Sequence, residues 1–129
     1  MMQVYQGIDI VDVSRLKRIM LRNSNFVYDI FTEKEMLYCQ SQKNQYMHFA
    51  GRFAAKESFV KAIGTGFAGT GIDNLFHEVE VIPSASGKPQ LFMRGWAEKL
   101  AKKRKIHQWS VSISHTADYA VASVILVGK

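Results

Sequence analysis

The chain has 129 residues, of which 47% are hydrophobic and 12% aromatic, so it can fold around a core. Its net charge of +6 favours an anionic partner, such as a phosphorylated small molecule, an acidic protein or nucleic acid. Its single cysteine, Cys39, excludes an internal disulfide, and we expect it to lie buried or half-buried at a helix end. The sequence has neither an apolar run of the ~20 residues that a membrane span needs nor a signal peptide. We therefore predict one cytoplasmic domain over residues 1–129.

The chain opens with a predicted strand over 3–11 and a predicted helix over 13–23. Aspartate is rare inside strands, so we interpret Asp9, which stands between Ile8 and Ile10, as a functional carboxylate. Asp12 is expected to cap the helix.

The predicted helix carries a row of arginines. These are spaced at i, i+3 and i+7, namely Arg15, Arg18 and Arg22. The opposite face is apolar and consists of Val13, Leu16, Ile19 and Met20. The arginine row is either a solvated face or a docking surface for a negatively charged partner helix.

An apolar link is predicted over 26–31, and a polar loop over 40–45. Between them, Thr32 and Glu35 form a capping-box pattern that opens a short helix to Cys39.

A central helix over 49–63 follows, and Gly64 ends it. Its core-facing residues are Phe49, Phe53, Phe59, Val60 and Ile63. Lys56 projects into the middle of this apolar face, where it either snorkels to solvent or meets a charged group. Glu57 and Lys61 share a flank, either as an i,i+4 ion pair or as groups that face a charged ligand.

The rest of the chain predicts a hairpin, a helix and two more strands. The glycine-rich stretch 64–71 lacks the pattern of a phosphate-binding P-loop. The predicted elements are strands over 76–82 and 90–93, a helix over 96–104 with a solvated basic end, and strands over 109–114 and 119–127. The predicted order of the elements is therefore β-α-α-α-β-β-α-β-β.

Two carboxylates on different elements, Asp9 and Glu57, suit a hard cation such as Mg²⁺. The nearby cationic residues suit phosphate oxygens. The combination indicates phosphoryl-type transfer from a polyphosphate or pyrophosphate substrate.

Four motifs occur in order along the chain. They are Gly7–Asp9; Arg52–Ser58 with Lys61 and Gly64–Gly66; Gly87–Pro89; and Ser112–Thr116. Together they resemble the holo-[acyl-carrier-protein] synthases, the small-subunit class of 4′-phosphopantetheinyl transferases. This family moves 4′-phosphopantetheine from coenzyme A to a serine of apo-acyl carrier protein in fatty acid biosynthesis, and releases adenosine 3′,5′-bisphosphate.

The resemblance implies a role for each matching residue. Asp9 and Glu57 would bind Mg²⁺. Lys61 would contact the pyrophosphate of coenzyme A and either protonate or neutralise the leaving phosphate. Either Glu57 or a metal-bound water would accept the serine proton. Further contacts to coenzyme A would come from Arg52, Gly64, Pro89, His115 and Thr116.

The resemblance also implies partners and assembly. Arg15 and Arg22 would dock the acidic helix of the carrier protein. Asn25 stands where a further arginine can occur, so the carrier contact would be either weaker or shared with Arg18. The family forms homotrimers with active sites between subunits. It has an α+β fold of antiparallel strands with packed helices, and the predicted order of elements is compatible with that fold. The alternative is a small basic nucleic-acid-binding protein, which would explain the net charge but neither carboxylate.

Overall fold

The computed structural model describes residues 1–64 and 74–129; most of the glycine-rich stretch, from Thr65 to Gly71, lies outside them. The strands are β1 (Gln3–Asp12), β2 (Val79–Pro83), β3 (Pro89–Met93), β4 (Gln108–His115) and β5 (Tyr119–Gly128). The helices are α1 (Val13–Arg22), α2 (Ser24–Ile30), α3 (Glu33–Gln40), α4 (Gln45–Ile63), α5 (Leu75–Glu78) and α6 (Gly95–Lys103). The predicted α+β fold with antiparallel strands is confirmed.

The strands form a three-stranded antiparallel sheet in the order β1-β5-β4 and a separate β2-β3 hairpin. Asp9 on β1 pairs with Ala122 on the middle strand, and Ala122 pairs with Ile113 on β4. Because side chains alternate along each strand, these three residues lie in one row on one face of the sheet.

Helix α4 packs on this face of the sheet, and Gly7 determines how closely. A Cβ at Gly7 would collide with the Ser58 carbonyl oxygen and lie 2.8 Å from the Ala62 backbone nitrogen. The Ser58 hydroxyl fixes the contact by donating to the Ala122 carbonyl oxygen at 2.9 Å. The glycine two residues before Asp9 therefore lets β1 approach the part of α4 that carries Glu57 and Lys61.

The opposite face of this sheet is exposed, and its β1 and β5 part is mainly apolar. Its large exposed side chains are Val4, Ile8, Ile10, Tyr119 and Ile125. The alternation in β1 places Ile8 and Ile10 on this face, while Gly7 and Val11 are buried against α4.

Several local predictions are confirmed. Asp12 caps α1 by accepting from the Arg15 backbone nitrogen at 3.0 Å, and Thr32 and Glu35 form the capping box of α3. Gly64 ends α4 in the left-handed conformation, with φ at +59°. Cys39 is fully buried near the end of α3, and burial raises the pKa of its thiol to about 12.

Other predictions are wrong. The apolar link is helix α2, which begins because Asn23 accepts from the Phe26 backbone nitrogen at 3.2 Å. Residues 76–78 belong to α5, not to a strand. The Phe76 carbonyl oxygen accepts from the Val79 backbone nitrogen at the end of this helix and also from Lys56 Nζ. On the apolar face of α1, Val13, Leu16 and Met20 are buried as this pattern indicates, and Ile19 is 38% exposed. Within the two described ranges, no helix is long and apolar enough to cross a membrane.

Candidate active site

Asp9 and Glu57 meet at a pocket of about 500 Å³ between β1, α1 and α4. Arg15 contributes to the polar part of its lining. The apolar part includes Ile10, Ile19, Phe53 and Tyr119. The side chain of Asp9 is only 17% exposed, so its charge is partly shielded from water, which strengthens electrostatic interactions.

The two carboxylates influence each other. Burial, followed by the negative charge of Asp9, raises the pKa of Glu57, and Lys61 partly opposes this shift. Two carboxylates that repel each other across a pocket are stabilised by a cation between them. Among the described residues, no group of three or more His, Cys, Asp or Glu could hold a metal. A cation here would therefore complete its shell with water or substrate oxygens, as Mg²⁺ commonly does.

Lys61 binds Asp9. Its Nζ donates to Asp9 Oδ1 at 2.9 Å and to the Ile8 carbonyl oxygen at 3.1 Å. The Lys61 side chain is 53% exposed, whereas that of Asp9 is only 17% exposed. The i,i+4 ion pair with Glu57, one of the two sequence-based alternatives, is wrong.

A second cluster lies at the N-terminal half of α4. Arg52 is 5% exposed, and its guanidinium carbon lies 4.4 Å from the centre of the Tyr38 ring. One turn earlier, the His48 ring packs 5.2 Å from the His115 ring and 5.7 Å from the Tyr38 ring. Among the described residues, neither Arg52 Nε nor His48 Nδ1 has a hydrogen-bond partner. A buried guanidinium nitrogen without an acceptor is suited to receive an anion.

Burial lowers the pKa of His48, and the positive charge of Arg52 and the presence of His115 lower it further. His48 is therefore kept neutral beside the guanidinium. His115 ends β4, and Thr116 follows in the turn to β5, where its Oγ1 accepts from the Asp118 and Tyr119 backbone nitrogens at 3.2 and 3.1 Å.

The remaining predicted site residues lie elsewhere. The Gly64 carbonyl oxygen accepts from Arg104 Nη2 at 3.2 Å, which ties the end of α6 to the end of α4. Pro89 lines a different groove of about 400 Å³ with Lys88 and Trp109. Asp9 and Glu57 are not among the residues that line this second groove.

The sequence profile of the 4'-phosphopantetheinyl transferase superfamily matches residues 6–124. The chain belongs to this superfamily. The transferase is 39% identical to the holo-[acyl-carrier-protein] synthase of Caldanaerobacter subterraneus subsp. tengcongensis, over 98% of this chain and 97% of the relative.

Solved structures agree with this assignment. A Chronobacterium ammoniagenes ACPS–CoA complex superimposes with a TM-score of 0.86 at 29% identity, covering 98% of both chains. The holo-[acyl-carrier-protein] synthase of Neisseria meningitidis gives a TM-score of 0.81 at 32% identity, covering 95% of this chain and 96% of that one. The prediction that this chain is an enzyme of the holo-[acyl-carrier-protein] synthase family is confirmed.

Lys56 of the transferase is part of a buried polar network. Its Nζ forms an ion pair with Glu35 Oε1 at 2.8 Å and donates to the Phe76 and Val79 carbonyl oxygens at 2.7 and 2.6 Å. The predicted inward direction of Lys56 is confirmed. Its partners belong to α3, α5 and β2, so it connects these elements to α4.

The three arginines of α1 are exposed, and only Arg15 also lines the pocket of Asp9 and Glu57. Two large apolar side chains nearby in the chain, Leu21 on α1 and Tyr28 on α2, are 67% and 66% exposed. Because Arg15 belongs to both, the arginine row adjoins the pocket at one end.

Sequence reasoning missed His48 and Tyr38, because neither belongs to one of the four motifs. One signal was available: His48 and Arg52 stand four residues apart on the same helix, so their side chains are neighbours. The contact with His115, by contrast, depends on the fold.

Proposed function

We propose that this transferase moves 4′-phosphopantetheine from coenzyme A to a serine of apo-acyl carrier protein and releases adenosine 3′,5′-bisphosphate. The observation that carries the proposal is the pocket in which Asp9 and Glu57 meet beside Lys61 and Arg15. The names of the relatives and the CoA complex of a structural neighbour support the same reaction.

Asp9 and Glu57 are the residues that would hold Mg²⁺. Their hard oxygen donors and their mutual repulsion fit this ion. When bound, the ion would supply positive charge that offsets the charge of the pyrophosphate.

The reaction forms a bond between the serine oxygen and the phosphorus of phosphopantetheine. It breaks the bond from that phosphorus to the bridging oxygen, and adenosine 3′,5′-bisphosphate leaves with the bonding electrons. Lys61 stabilises the charge that grows on the leaving phosphate. Glu57 is our candidate for the group that accepts the serine proton, because its carboxylate lines the pocket in which the reaction would take place.

We infer that coenzyme A is further held by Arg52, Gly64, Pro89, His115 and Thr116. Arg52 is the best supported of these, since its buried Nε is without a hydrogen-bond partner within the described chain and a phosphate would supply one. His48 would join this group through its contact with His115.

Arg15, Arg18 and Arg22 would dock the acidic helix of the carrier protein. Because Arg15 also lines the pocket, a carrier bound on this row would have its serine near Asp9 and Glu57. Complementary charge would mainly accelerate the encounter of the two proteins.

The active unit would be a homotrimer with active sites between subunits. The exposed apolar face of the sheet, with Ile8 and Ile10, is the kind of surface that a subunit interface covers. In addition, Pro89 lies in a separate groove from Asp9 and Glu57, so a second copy could bring the two regions together. We further propose a single domain over 1–129 that works in the cytoplasm in fatty acid biosynthesis.

Mass spectrometry of a purified apo-acyl carrier protein tests the reaction. After incubation with this protein, coenzyme A and Mg²⁺, we expect the carrier to gain one phosphopantetheine, and no gain when EDTA replaces Mg²⁺. An unmodified carrier would overturn the proposal. Tight, salt-dependent binding to DNA in the same preparation would instead favour the nucleic-acid alternative.

A further inference from the structure

The ammonium group of Lys61 occupies a position on the carboxylate that would hold the metal. It contacts Asp9 Oδ1 at 2.9 Å and, at the same time, the carbonyl oxygen of Ile8 at 3.1 Å. Asp9 is largely buried, so this ion pair supplies much of the positive charge next to its carboxylate.

A divalent cation and this ammonium group would each weaken the binding of the other to Asp9. A cation between Asp9 and Glu57 would lie within a few ångströms of Lys61 Nζ, and like charges at that distance repel by about 1 kcal/mol or more even in water. The ion pair itself is weak, because the Lys61 side chain is half exposed. Lys61 can therefore leave Asp9 at a small free-energy cost.

The movement would be confined to the lysine side chain. The backbones of β1 and α4 are fixed to each other by the close approach at Gly7 and by the hydrogen bond from the Ser58 hydroxyl to the Ala122 carbonyl oxygen. The carboxylates of Asp9 and Glu57 stay in place while Lys61, on its flexible four-carbon stem, changes partner.

We propose that Lys61 competes with the divalent cation for Asp9, and that the pyrophosphate of coenzyme A draws Lys61 away, so that metal and coenzyme A bind with positive coupling. This inference rests on the proposed function, because it assumes that Asp9 holds the cation. The coupling is reciprocal: coenzyme A raises the affinity for the metal by the same factor by which the metal raises the affinity for coenzyme A.

Titrations with Mn²⁺, followed by electron paramagnetic resonance without carrier protein, test the competition directly. Dissociation constants are measured with and without saturating coenzyme A, and a protein-free titration corrects for Mn²⁺ bound by coenzyme A itself. The variants are Lys61→Met, which removes the charge, and Lys61→Arg, which keeps it. Lys103→Met is the matched control, since it removes the same charge from α6, outside the residues that line the pocket.

Without coenzyme A, we expect Lys61→Met to bind Mn²⁺ about three- to tenfold more tightly than the unaltered protein. Coenzyme A should then improve the Mn²⁺ affinity of Lys61→Met by a smaller factor than it does for the unaltered protein. Lys61→Arg and Lys103→Met should both resemble the unaltered protein in the absence of coenzyme A. Circular dichroism establishes that each variant is folded.

An Asp9→Asn variant separates the two levels of the proposal. If Asp9→Asn weakens Mn²⁺ binding but Lys61→Met binds Mn²⁺ as the unaltered protein does, the competition is wrong and the metal site remains. If Asp9→Asn leaves Mn²⁺ binding unchanged, the metal is held elsewhere and the proposed function loses its carrying observation. Equal tightening in Lys61→Met and Lys103→Met would reduce the effect to overall charge and overturn the competition.

Discussion

Helix α4 carries two lysines, five residues apart, whose ammonium groups have almost the same distance to a carboxylate. Lys56 lies 2.8 Å from Glu35, and Lys61 lies 2.9 Å from Asp9. Both side chains of the first pair are fully buried, whereas in the second pair Lys61 is half exposed. Distance therefore does not distinguish the two ion pairs, but their surroundings do.

The buried pair is fixed because every group in it has several partners. Lys56 Nζ has three acceptors, and Glu35 also accepts from the Thr32 and Val81 backbone nitrogens at 2.9 and 2.7 Å. Burial lowers the pKa of Lys56, and Glu35 acts in the opposite direction. A lysine held in this way cannot be removed without leaving a buried carboxylate unpaired, while one at the edge of a pocket can exchange partners during a reaction.

The largest expected effect concerns Asp9 and Glu57, the two carboxylates next to Lys61. Asp9→Ala and Glu57→Ala should each lower the rate of phosphopantetheine transfer on the order of 10³-fold or more, because each removes a ligand of the proposed metal. Urea unfolding should show little loss of stability for either variant. A folded variant that keeps near-normal turnover would show that its carboxylate is not needed.

Lys56→Met should destabilise the fold by about 3–5 kcal/mol, because it leaves the buried Glu35 carboxylate without its counter-charge. The measurement is urea unfolding followed by circular dichroism. The double variant Lys56→Met, Glu35→Gln is the control, and it should be more stable than Lys56→Met alone since no buried charge remains unpaired. Equal stability of the single and the double variant would contradict this account.

Lys61→Met should show the reverse pattern, with kcat lowered on the order of 10² and the free energy of unfolding changed by at most about 1 kcal/mol. The KM for coenzyme A should change less than kcat, because the charge that Lys61 meets grows as the bond breaks. Steady-state kinetics with an apo-carrier protein measure both constants. An unchanged kcat would show that Lys61 takes no part in the reaction and only forms an exposed ion pair.

Charge reversal on α1 should change the KM for the carrier protein and leave the KM for coenzyme A unchanged. We expect Arg18→Glu with Arg22→Glu to raise the KM for the carrier protein by about tenfold and to flatten its salt dependence. Arg15 is left unchanged, since it also lines the pocket. If the KM for coenzyme A rises equally, the arginine row acts on the nucleotide or on the fold.

The smallest effect concerns His48. Its pKa is lowered in the folded state, so the unfolded chain binds the proton more readily, and stability is lost as the pH falls below about 6.5. His48→Gln should remove this part of the loss of stability between pH 7 and pH 5. Thermal unfolding over this range measures it, and an unchanged pH profile would show that His48 titrates as an ordinary histidine.

The sequence by itself determined the features that depend on near neighbours in the chain. The caps at Asp12 and Thr32 and the end of α4 at Gly64 follow from local hydrogen bonding and backbone conformation. The inward direction of Lys56 follows from helical periodicity. Even Asp9 was identified locally, because a carboxylate inside an apolar strand is unusual.

Only the tertiary structure decided which of these groups meet. Lys61 pairs with Asp9 and not with Glu57, its neighbour on the helix, because Gly7 brings β1 into contact with α4. The contact of His48 with His115 likewise joins elements that are far apart in the chain. Such contacts depend on how a strand docks against a helix, and that docking is determined by the packing of the whole core, which no local pattern encodes.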